Sequence, residues 1–86
     1  MAQALSLEMD RGVEPADTET MFLLGVQYST GRDVPVDRVT AHKWFNIAAT
    51  RGDAKARAWR AELAQEMTAA EIAEAQRLAR EWTRTH

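Results

Sequence analysis

Few side chains in this 86-residue sequence are equipped for acid–base or nucleophilic chemistry. The histidines are His42 and His86, cysteine is absent, and Ser6 and Ser29 have no acid–base partner at a recognisable spacing. Neither a His-Glu-x-x-His run nor a glycine-rich phosphate loop occurs, so the local patterns that hold zinc or cradle phosphates are missing. His42 stands two positions before Trp44, which on a helix turns it about 200° away from that ring. It is therefore expected at an exposed or rim position, not as a catalytic base. Glu71 and Glu74, at i, i+3, read as a solvated face. The expectation is a protein with no catalytic residue, no cofactor and no metal.

Binding chemistry is better represented, and it is unevenly placed. Residues 31–60 hold seven bases (Arg32, Arg38, Lys43, Arg51, Lys55, Arg57, Arg60) against three acids, whereas residues 1–20 hold five acids and one base. Arg51, Lys55, Arg57 and Arg60 form a basic patch near one helix junction, an alternative site for nucleic acid. Against it stand a net charge of −2, a pI near 5.6 and acidic segments on both sides, which oppose non-specific affinity for phosphates. No nucleic-acid partner is expected. At the other end, Glu81-Trp82-Thr83-Arg84-Thr85-His86 closes the chain. Its apolar stripe stops at Trp82, so Thr83, Arg84, Thr85 and His86 are expected to project as a free tail that a partner protein can grip.

The elements that must position these groups are helices. Sixteen alanines stand against seven Val plus Ile, and Ala is the least costly helix residue while the β-branched residues favour strands. Asp17 and Glu19 suit the start of a helix running to about Thr30, where Gly31 supplies a left-handed stop. Met21, Leu24, Gly25 and Tyr28 share one face of it, and Phe22 with Val26 forms a second stripe. An opening segment, 3–11, with Leu5 and Met9 one turn apart, is a candidate cover for that stripe. Asp37 caps a helix over about 38–51, in which Ala41, Trp44 and Ala48 face one way and Gly52 ends the run. Asp53 caps a third helix, about 54–67, with Ala56, Trp59, Leu63 and Met67 on its stripe. Thr68-Ala69-Ala70-Glu71 is a capping box, opening a last helix over about 69–83 with Ile72, Ala75, Ala79 and Trp82 on one side. Short connections fold each helix back on its predecessor. The expected fold is all-α, antiparallel helical hairpins in a single domain, 1–86.

The run Leu24-Gly25, Tyr28, Gly31, Val34, Asp37, Ala41, Trp44, Ala48-Ala49, Gly52 and Ala56 resembles the Sel-one-like repeat, a relative of the tetratricopeptide repeat. The resemblance covers about residues 18–52, with 53–83 as a C-terminal helical hairpin and 83–86 as the tail. It departs from the family at Asp33, where the loop often has glycine. Asp is expected to be a less forgiving loop residue than glycine there, though it tolerates left-handed geometry better than most. Residues 53–67 lack the Leu-Gly and Tyr pattern of a further copy. Since repeats of this kind need neighbours to bury their faces, one copy must be closed by flanking helices or by a second chain, leaving monomer and homodimer both open.

What the resemblance implies is protein binding, through a concave surface on the first helix of each hairpin. Gln27 and His42 are the candidate partner-binding residues there. A small alanine-rich body with a short tail ending in histidine is also similar to heat-shock-linked bacterial regulators of the ATP-dependent protease Lon. That likeness implies an adaptor or regulator whose docking residues are Thr83 to His86. The longest apolar run, Met21 to Val26, is far short of the roughly 20 residues that span a bilayer. No secretory start precedes it, and a cytoplasmic protein is expected.

Overall fold

The computed structural model describes residues 17–86, and the expected opening segment 3–11 lies outside them. The described chain is all-helical: α1 (Thr18–Thr30), α2 (Arg38–Thr50), α3 (Ala54–Ala64) and α4 (Ala69–Thr85). Each helix starts where a short polar side chain can satisfy free amide groups. The Asp17, Asp37 and Asp53 carboxylates accept from the N–H groups of Thr20, Thr40 and Ala56 at 2.7, 3.0 and 3.1 Å. Thr68 and Glu71 close the capping box in both directions, at 3.1 and 2.9 Å.

Gly31 ends α1 with φ 77°, a conformation that costs a residue without Cβ little. Its N–H and that of Arg32 both donate to the Gln27 carbonyl, which turns the chain toward α2. Asp33 adopts left-handed geometry, at φ 66°.

The arrangement is centred on α2. It packs against α1 on one side, α3 on a second and α4 on a third, while α1 touches α3 more lightly. Seven of its residues are buried, among them Ala41, Phe45 and Ala48 with no exposure at all. Gly25 of α1 is the point of closest approach, because a Cβ there would lie 2.5 Å from Phe45 Cδ1. The missing side chain is what admits the Phe45 ring between α1 and α2.

Two expectations about packing change. Residues 53–83 do not pair mainly with each other as a hairpin, since α3 and α4 each pack chiefly on α2. Trp59, placed by its spacing on the buried stripe of α3, is 42% exposed. Only Ala56 and Leu63 of α3 are buried, because this helix meets the body along one narrow strip. Trp59 sits at the strip's edge, its ring edge-on to Phe22 at 5.6 Å and tilted to Phe45 at 6.0 Å.

Candidate functional site

The C-terminal end of α4 is built from an inward anchor and an outward surface. Leu78 and Trp82 are half-buried while Ala75 and Ala79 are fully inside, so α4 lies close to α2 along its small residues. Trp82 then meets Trp44 of α2 edge-on, with ring centroids 5.5 Å apart, the arrangement favoured by aromatic quadrupoles. Arg51, just past α2, lies over the Trp82 ring at 5.2 Å, and Lys43 lies over Trp44 at 4.2 Å. A shallow depression lined by Lys43, Leu78, Glu81, Trp82 and Thr85 opens beside this cluster.

Beyond Trp82 the structure corrects the free tail. Helix α4 runs through Thr83 and Arg84 to Thr85, and His86 is its cap. The segment Thr-Arg-Thr-His contains no glycine or proline to stop the helix, and Arg84 complements the negative end of its dipole. Thr85 Oγ1 donates to carbonyls of the preceding turn, 3.1 Å from Trp82 O and 3.3 Å from Glu81 O. The His86 ring stacks on Trp82 at 4.3 Å with 9° between planes, its Nδ1 2.8 Å from the Trp82 carbonyl oxygen. A proton on Nδ1 makes that contact a hydrogen bond. Thr83, Arg84, Thr85 and His86 thus stay exposed, as expected, but as the last turn of an anchored helix.

His42 is the second correction. It is 3% exposed, buried at the side of α2 that faces α3, and its Nδ1 has no hydrogen-bond partner. Burial, and then the nearby Arg60 guanidinium, hold its pKa below the ordinary value of 6.5, since both disfavour imidazolium. Turning away from Trp44 did not bring it to solvent because α2 is covered on three sides. Gln27 is half-buried in the last turn of α1, where its carbonyl accepts the two turn amides. The structure therefore brings Thr83 to His86 together and does not join Gln27 and His42 into one exposed surface.

On α1 the solvent side is instead Glu19, Leu23 and Thr30, with Leu23 53% exposed. Past the end of α1, Ser29, Thr30, Phe45, Trp59, Glu62 and Leu63 line a cleft that the sequence reading missed. The signal was present only as the 60° offset of Trp59 from the line of Ala56 and Leu63, small enough on a helix to be taken for the same stripe.

Of the basic patch at 51–60, Lys55 is drawn to Glu19 at 3.2 Å and Asp53 at 3.6 Å, which raises its pKa. Arg60 donates to Asn46 Oδ1. The patch is thus divided among three neighbours. Among the described residues no group of three His, Asp or Glu converges on a point where a metal ion would sit, and no helix is long and apolar enough to cross a membrane. No family model, no curated protein and no solved structure matches this chain.

Proposed function

We propose that this chain is a non-enzymatic protein-interaction module, built on one Sel-one-like hairpin, that engages its partner through the C-terminal turn Thr83 to His86. The observation that supports this reading is the combination of four exposed terminal residues with a half-buried anchor directly before them: Trp82 is pinned between Trp44, Arg51 and the His86 ring. A preorganised turn costs a partner less ordering entropy than a loose tail does. The partner is a protein of the ATP-dependent protease class, such as Lon, in the cytoplasm, and the chain acts on it as a regulator or adaptor.

A pull-down with purified Lon, comparing the full chain with one ending at Trp82 and with Thr85→Ala, His86→Ala, tests the assignment. Both altered chains should keep their helical circular dichroism and lose about tenfold or more in affinity, which corresponds to about 1.4 kcal/mol. Equal capture of all three chains would overturn it.

A further inference from the structure

Between α2 and α4, bordering the C-terminal turn at Thr83, lies a second cleft. Its lining is Asn46, Ile47 and Thr50 from α2 with Ala79, Arg80 and Thr83 from α4. On the α3 side the wall continues through Arg60, whose guanidinium donates to Asn46 Oδ1. Arg60 and Arg80 thus both stand beside Asn46, one held to it by a hydrogen bond and the other lining the same cleft.

Charge on the two flanking helices is sorted by face. On α3, Arg57 and Arg60 share their flank with Ala61 and Ala64, while Glu62, and Glu66 just past the helix, lie on the opposite flank beside Trp59. On α4, Glu74 and Glu81 are held by Arg77 on the outward side, at 2.7 and 3.2 Å. The cleft lining itself contains no acid. Among the described residues, none of Arg57, Arg60, Arg80 and Arg84 takes part in an ion pair. In a chain of net charge −2, this cleft thus carries positive charge and no acid in its lining.

We infer that this cleft is a docking surface for an acidic protein segment, one presenting Asp or Glu carboxylates to Arg60 and Arg80. Guanidinium forks match carboxylates with two parallel hydrogen bonds, and Asn46 adds the N–H donors of its side-chain amide, while the Thr50 hydroxyl is committed to the Asn46 backbone carbonyl. Nucleic acid fits the site less well. No aromatic ring lines this cleft for bases to stack on. The surface does not depend on the reading of Thr83 to His86 as a contact, although Thr83 borders both.

The test uses the full chain and a fluorescein-labelled peptide of alternating glutamate and alanine, followed by anisotropy, with labelled single-stranded RNA and duplex DNA as rivals. The peptide should bind saturably at low salt and lose affinity steeply as salt rises. Arg60→Glu with Arg80→Glu should weaken it about tenfold or more, because reversing charges replaces attraction by repulsion. Arg32→Glu, in the loop after α1, should leave it unchanged. Should the double variant fold poorly, amide NMR shifts of the wild-type chain keep the test decisive: the peptide must move Asn46, Thr50 and Arg80 resonances and not those of Leu23 or Trp59. Absence of saturable peptide binding, equal loss in Arg32→Glu, shifts mapping elsewhere, or binding of RNA or DNA in place of the peptide each overturns the inference. Residues 83–86 are intact in these variants, so failure here leaves the protease-docking experiment to be judged by itself.

Discussion

Two single residues show how tightly this body is tuned. Gly25→Ala places a methyl group where Phe45 already sits, 2.5 Å from its Cδ1. Helix propensity favours alanine by about 1 kcal/mol, yet forcing an added carbon into a packed interface costs about 1–3 kcal/mol. The ring is fully buried and has no solvent side to retreat to. Net destabilisation is expected, read as a lower urea midpoint. His42 makes the core pH-sensitive in a defined direction. Its folded pKa lies below 6.5, so the unfolded chain binds the proton more readily than the folded one. The contribution of neutral His42 is fully present above pH 6.5 and is lost as pH falls from there toward the folded value. Urea midpoints at pH 7.5 and pH 5.5 should therefore differ more for the wild-type chain than for His42→Leu, which has no proton to gain; an equal pH effect in both contradicts the assignment.

At the scale of the element, helix starts were readable because their signals are local, whereas the third helix, expected to reach about residue 67, ends at Ala64. Asp17, Asp37, Asp53 and Thr68 each cap the helix that their position in the sequence announces, and Gly31 stops α1. Thr68→Ala removes the side chain that accepts from Glu71 N–H, while the Glu71 carboxylate can still accept from the backbone N–H of residue 68. The expected cost is about 1 kcal/mol, the usual value for an N-cap, measured by thermal or urea unfolding, while a Glu71→Gln variant retaining an acceptor should lose less. What could not be read locally is which face of each helix is covered. His42 was expected outside because it turns away from Trp44, and that inference assumes α2 has one covered side; three neighbours give it three. Trp59 was expected inside because it falls near the stripe of Ala56 and Leu63, but α3 is held along one narrow strip. The terminal turn was expected to fray after the last apolar residue. Nothing in Thr83 to His86 breaks a helix, and the His86 ring adds an apolar contact on Trp82 that a hydrophobicity count of the segment does not register.

For the whole molecule the decisive fact is that α2 is common to every major helix contact. Its buried face joins Met21, Phe22 and Leu24 of α1 with Ala56 and Leu63 of α3 and Ala79 of α4 in one cluster. A domain of this size commonly has about 5–15 kcal/mol of total stability, and shared burial leaves little that could persist if α2 were lost. Phe45→Ala tests this. The ring is fully buried against Gly25 and within 6.0 Å of Trp59 and 5.8 Å of Phe22, so its removal is expected to cost about 3–5 kcal/mol. If α2 is the hub, the loss is felt everywhere at once. Tryptophan fluorescence, which samples α2, α3 and α4 through Trp44, Trp59 and Trp82, should then give the same lowered urea midpoint as far-UV circular dichroism. Two separated transitions, with the Trp82 signal outlasting the others, would mean instead that α4 carries the C-terminal turn on a foundation of its own, and the exposed residues 83–86 would owe their order to α4 alone.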